Sequence, residues 1–140
     1  METGLAAAYE QGGFTLANIR NHWSAVREDV PAVALTIWAD RIIKESEPWI
    51  MDATYNRSLS NRSLSDWTKR VGNTVRKKHI QFGIDHCDGK FELILLQAKD
   101  PKREPRAVAS ARYWSERRGI LITDSFNVET GEFRLKLIPR

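Results

Sequence analysis

The sequence predicts an α+β fold: three N-terminal helices followed by a ββαββ unit with a small, mainly antiparallel sheet. Two observations predict it. In the first half, apolar residues recur at steps of three and four, the spacing of one helix face. From about residue 79 the period drops to two, and turn signals at Asp88-Gly89 and Gly131 punctuate the strands. A chain of 140 residues with 41% apolar content is one domain's worth, with enough to bury one core. That domain divides into an acidic helical part, about residues 1–78, and a basic ββαββ part, about residues 79–140.

In the first predicted helix, residues 14–29, Leu16, Ile19, Trp23 and Val26 share one face and Thr15 caps the start. Pro31 suits the first turn of a second helix, whose stripe is Leu35, Trp38 and Ile42; Pro48 ends it. The pentapeptide Asn-Arg-Ser-Leu-Ser is written twice over residues 56–65. Five residues turn a helix by about 500°, so Leu59 and Leu64 would point apart, and the repeat reads as a loop. A third helix follows from about residue 64 to 77, with Trp67, Val71 and Val75 on its apolar face. Ile80, Phe82 and Ile84 then alternate with polar residues as a half-buried strand, and Phe91–Ala98 is apolar on both faces, as a central strand is. Residues 106–119 read as a helix with Ala107, Ala111 and Trp114 on one side, and Gly119 just past its end. Two last strands, residues 120–126 and 132–138, are joined through Gly131.

Charge is unevenly placed. Residues 1–52 hold four basic and eight acidic side chains, net −4, and residues 53–140 hold eighteen and ten, net +8. A cationic half points to a polyanion partner. Its basic residues are interleaved with aromatic ones: Arg112, Arg117 and Arg118 beside Tyr113 and Trp114, and Arg134 and Lys136 beside Phe133. The contacts expected with DNA or RNA are Lys77, Lys78, Lys99, Lys102, Arg103, Arg106, Arg112 and Arg117. No helix-turn-helix, RNA-recognition or zinc-finger signature accompanies them. Cys87 is the single cysteine, and His22, His79 and His86 have no zinc spacing, so no cofactor is expected. No apolar run is long enough for a membrane span, and no basic segment followed by an apolar one marks a secretory leader. A small cytoplasmic nucleic-acid-binding protein is the leading expectation.

A second expectation comes from residues 83–100. Gly-Ile-Asp85, an apolar strand, then Gln97-Ala-Lys99 resembles the core of the restriction-endonuclease-like nucleases of the Mrr type. The likeness extends over residues 83–126, including Arg-Gly-Ile-Leu-Ile-Thr at 118–123, and implies Mg²⁺ held near Asp85 and Gln97 with Lys99 steadying hydroxide. The glycine-rich lead-in and the upstream helix glutamate of that family are absent. Hairpin and nuclease readings exclude one another: a two-residue turn at Asp88-Gly89 sets Asp85 opposite Glu92, about 16 Å along the strands from the level of Gln97. The hairpin is the preferred reading. A third expectation is a protein-interaction or inhibitory module, with an apolar anchor at Trp49, Ile50, Met51 and Tyr55, and with the acidic N-terminal helices meeting a partner or a second copy.

Overall fold

The computed structural model describes residues 4–15, 23–53, 71–98 and 108–139. Its elements are α1 (Leu5–Gln11), β1 (Ser24–Arg27), β2 (Ala32–Trp38), a 3-10 turn (Ala39–Arg41), β3 (Ile42–Ile43), β4 (Trp49–Asp52), α2 (Val71–His86), β5 (Lys90–Ala98), β6 (Val108–Tyr113), β7 (Arg117–Leu121) and β8 (Arg134–Pro139). The eight strands form one mixed sheet in the order β1-β2-β5-β7-β8-β4-β3, with β6 also on β5. Among the described strands only β2 and β5 pair in parallel. The predicted three-helix start followed by ββαββ is therefore overturned: the described part is mostly sheet, with two helices. Neither is long and apolar enough to cross a membrane.

The second predicted helix is instead β2, the 3-10 turn and β3, and residues 24–27 of the first predicted helix are β1, while its residues 16–22 lie outside the described residues. Val33, Leu35 and Ile37 are buried on one face of β2, and Ala34 is buried on the other. A strand covered on both faces reads as a continuous apolar run, and such a run also satisfies helical spacing.

The strand predicted at Ile80–Ile84 lies inside α2. Its buried positions are Asn73, Arg76, Ile80 and Gly83, steps of four and three along one helix face. Two of these are polar, so the apolar pattern alone did not mark the face. The predicted hairpin turn at Asp88-Gly89 serves a different purpose. Asp88 (φ 56°) and Gly89 (φ 70°) take left-handed conformations that end α2. The Cys87 and Gly89 amides both donate to the Gly83 carbonyl, at 2.9 and 3.0 Å, and β5 begins at once.

The predicted helix at 106–119 is β6, a corner and β7. The pairing of β5 passes from Ile94 with Tyr113 to Phe91 with Gly119, so extra residues on the β6–β7 side form a bulge that bends the sheet. The Trp114 amide still donates to the Leu93 carbonyl across it, at 2.9 Å.

The bend divides the sheet into two halves sharing β5. On the inner face, Val33, Leu35, Ile37, Leu93 and Leu95 from the first half join Met51, Phe133, Leu135 and Leu137 from the second, with Ile80 of α2 and Trp114. On the outer face of the first half lies α1. Its Ala8 and Tyr9 cluster with Ala25, Ala34, Ile94, Leu96 and Ala111. Three sheet alanines let the helix approach closely, and the Tyr9 hydroxyl hydrogen-bonds with the Thr36 hydroxyl.

Candidate nucleic-acid interface

The outer face of the second half remains. Strand alternation decides which residues it carries. Leu135 and Leu137 of β8 turn inward, so Arg134, Lys136 and Ile138 turn outward. Their cross-strand partners follow by register: Ile120 and Ile50 flank Lys136, Asp52 lies beside Arg134, and Arg118 beside Ile138. Lys90 pairs with Ile120, and Ile43 with Ile50. One row across five strands thus reads Ile43, Ile50, Lys136, Ile120, Lys90. Lys90, Arg134 and Lys136 are exposed, Ile43 is 46% exposed, and no described helix covers them.

This face carries four cations, Lys90, Arg118, Arg134 and Lys136, and two carboxylates, Asp52 and Glu92. Arg118 Nε lies 3.7 Å from Glu92, which also accepts a hydrogen bond from the Tyr113 hydroxyl at 2.5 Å. Lys90 and Lys136 stand two strands apart, about 10 Å between backbones, and Arg134 and Lys136 about 7 Å apart along one strand. At physiological ionic strength the Debye length is about 8 Å, so Arg134 and Lys136 lie within it and Lys90 just beyond it.

The cations expected from the sequence are placed otherwise. Arg117 turns inward with its side chain only 13% exposed. Its guanidinium lies 3.6 Å from the centre of the Trp49 ring, donates to both Glu47 carboxylate oxygens at 2.9 and 3.1 Å, and donates to the Leu137 carbonyl at 2.6 Å. Arg112 is exposed and paired with Glu116 at 3.3 Å, a contact that helps to hold the Glu116 carboxyl below its ordinary range after the larger effect of a backbone hydrogen bond. Lys77 donates to the Glu129 carbonyl at 3.2 Å. Lys78 is exposed on α2, away from the open sheet face. Lys99, Lys102, Arg103 and Arg106 lie outside the described residues, as do the repeat at 56–65, Trp67 and Tyr55.

Of the nuclease residues, Asp85 and Gln97 are described, and they are not brought together. Asp85 is exposed in the last turn of α2 and accepts a hydrogen bond from Gln81 at 3.0 Å. That end of the helix abuts Phe91, whereas Gln97 lies six residues further along β5, about 20 Å away. Lys99 is outside the described residues. Among the described residues no group of three or more His, Cys, Asp or Glu is arranged to hold a metal ion. The Cys87 thiol is pushed up by burial and by Asp88, away from thiolate reactivity. Among the described residues, most acidic side chains expected on N-terminal helices lie off helices, Glu10 of α1 excepted. Glu28 and Asp29 lie in the β1–β2 turn, Asp40 in the 3-10 turn, and Glu45 and Glu47 in the loop before β4.

Lys90, Arg118, Arg134 and Lys136 were not among the residues singled out from sequence as contacts. The signal for two of them is visible in Phe133-Arg-Leu-Lys-Leu137, where basic and apolar residues alternate. Lys90 and Arg118 join them only through strand register. No family model matches this chain, and neither does any curated protein or solved structure among those compared.

Proposed function

We propose that the protein binds nucleic acid, DNA or RNA, through the phosphate backbone, and that the outer face of β5, β7 and β8 is the contact surface. The observation that supports this reading is the gathering of Lys90, Arg118, Arg134 and Lys136 on one sheet face that no described helix covers. Lysine ammonium groups are point charges suited to phosphate oxygens, and the two arginines that could read base edges each have a carboxylate neighbour. Binding is therefore expected to be independent of base sequence, weak and salt-sensitive.

The test is fluorescence anisotropy with labelled oligonucleotides across a salt series. Two to three neutralised phosphates give a slope of log K against log salt of about −1.5 to −2.5. Removing both lysines in a Lys90→Ala/Lys136→Ala variant should bring the slope to between zero and about −0.9. Binding that is absent, or unchanged in this variant, refutes the assignment. A second reading, a protein-interaction surface, is favoured by Ile43, Ile50, Ile120 and Ile138 on the same face.

A further inference from the structure

We infer that the turn between β7 and β8 of one copy docks on the open sheet face of a second copy. Residues 122–133 hold Asp124, Glu129 and Glu132 and neither lysine nor arginine, net −3. The open face, with four cations and two carboxylates, is net +2. The two surfaces are complementary in charge and lie on every molecule. They also match in apolar character. Val128 stands 63% exposed at the turn, and Ile43, Ile50 and Ile120 are set among the lysines of the face.

The turn is built as a rigid knob. The Asn127 side-chain oxygen accepts from the amides of Glu129 and Thr130, at 2.9 and 3.1 Å, and the Gly131 amide donates to the Asn127 carbonyl at 2.7 Å. Asn73 of α2, fully buried, donates to the Thr130 carbonyl at 2.8 Å, and Lys77 donates to that of Glu129. Such preorganisation lowers the ordering cost of binding. The same clips hold the turn toward α2, on the inner side of the sheet, so it cannot fold back over the outer face of its own chain. Contact between turn and face is therefore intermolecular. It is head-to-tail, because two different patches meet, and it leaves one of each free to continue the chain.

The inference shares a face with the nucleic-acid reading but does not depend on it. Sedimentation or light scattering of the full chain tests it, at about 20 mM and about 500 mM salt. Mass above one chain at low salt, falling at high salt, is expected. Glu129→Lys alters only the knob and Lys136→Glu only the face. Each alone should weaken association at least about tenfold by setting like charges together, while thermal stability is unchanged. Mixing the two variants should restore pairing, because the intact knob of the Lys136→Glu chain then meets the intact face of the Glu129→Lys chain. A chain that stays monomeric at low salt, variants that associate as the wild type does, or a folded mixture that fails to recover overturns the inference. Glu129→Lys should leave oligonucleotide binding intact, so loss of self-association and loss of nucleic-acid binding are separable results.

Discussion

Replacing Gly83 with alanine sets two effects against each other inside α2. Helix propensity favours alanine over glycine by about 1 kcal/mol. Against that, a Cβ at this position would lie 2.4 Å from Phe91 Cε1 and 2.7 Å from Cζ. Carbon atoms pack best at about 3.5–4.0 Å, so the overlap is about 1 Å or more. Phe91 is 1% exposed and closed in by the core, so its ring has no space to retreat. Overpacking of this kind costs about 1–3 kcal/mol, and a wedged aromatic ring belongs near the top of that range. The net loss is about 2 kcal/mol.

Urea denaturation followed by circular dichroism reads the loss as a lower midpoint with an unchanged slope. Phe91→Leu is the companion variant, because it opens space where the new methyl intrudes. The double variant should be less destabilised than the sum of the singles by about 1 kcal/mol. A Gly83→Ala protein more stable than the wild type would refute the contact. Gly83 would then not face the Phe91 ring, and the packing of the last turn of α2 against β5 would differ.

Arg117→Ala should cost about 2–3 kcal/mol in thermal denaturation, since it removes a nearly buried stack on Trp49 and the donor to Leu137. Glu47→Ala, whose carboxylate is 53% exposed, should cost less than about 1 kcal/mol, and the reverse order would show that the ion pair outweighs the stack. Gly131→Ala should cost more than about 2 kcal/mol and speed hydrogen exchange in the 127–131 turn, because φ is 84° and the new Cβ would lie 2.2 Å from the Asn73 side-chain oxygen; wild-type exchange would refute the clip. Tyr9→Phe should cost about 1 kcal/mol at pH 7, through the lost bond to Thr36. Burial holds the Tyr9 phenol above its ordinary range, against smaller lowering effects of Thr36 and Arg76. The stability this contributes is complete below the unfolded value near 10 and is lost as pH rises beyond it. Arg76, lowered by burial to about 10 and raised in part by Tyr9, acts with the opposite sign in that window, so the difference between wild type and Tyr9→Phe reports the phenol together with its coupling to Arg76. That difference should shrink above pH 10, and a constant difference would refute the assignment.

How far the sequence disclosed this fold depends on what covers each element. Lys90–Ala98 reads as a strand because Leu93 and Leu95 face one core cluster, and Ile94 and Leu96 the other. Arg134–Pro139 reads as a strand because one face is wet and the other dry. Ala32–Trp38 does not, since Leu35, Trp38 and Ile42 also satisfy the spacing of one helix face. Ala111 invited a helical reading because it is small, but it is small because α1 lies against it. The α2 stripe was hidden by its polar members. Asn73 is there to hold the 127–131 turn, and Arg76 to stack on Trp23 and Phe133. The candidate face was half legible. Period two placed Arg134 and Lys136 together, but nothing local distinguishes Arg117 from Arg118. Adjacent residues of one strand point to opposite faces, and only the register shows which is stacked on Trp49 and which is beside Glu92.

That pair shows why total basicity was a poor guide to the surface. Guanidinium is planar, weakly hydrated and suited to stacking, whereas ammonium is compact and strongly hydrated. The fold uses the difference. Arg76 is 7% exposed, between Trp23 and Phe133; Arg117 lies over Trp49; and Arg27 lies near the Phe14 ring while donating to the Val30 carbonyl. These arginines help to close the sheet around its core, and their charge is spent on rings, carbonyls and Glu47. Lys78, Lys90 and Lys136 stay in water. The free positive charge of the described residues is thus mostly lysine, and its densest group is where α1 stops covering the outer sheet face. α1 stops there because the alanines that admit it, Ala25, Ala34 and Ala111, belong to β1, β2 and β6 alone. Beyond them, the outward positions on β4, β7 and β8 are isoleucines and long charged side chains that keep a helix at a distance. The covering of the core and the exposure of the cationic face therefore have one cause, the change from alanine to isoleucine and lysine across the bend.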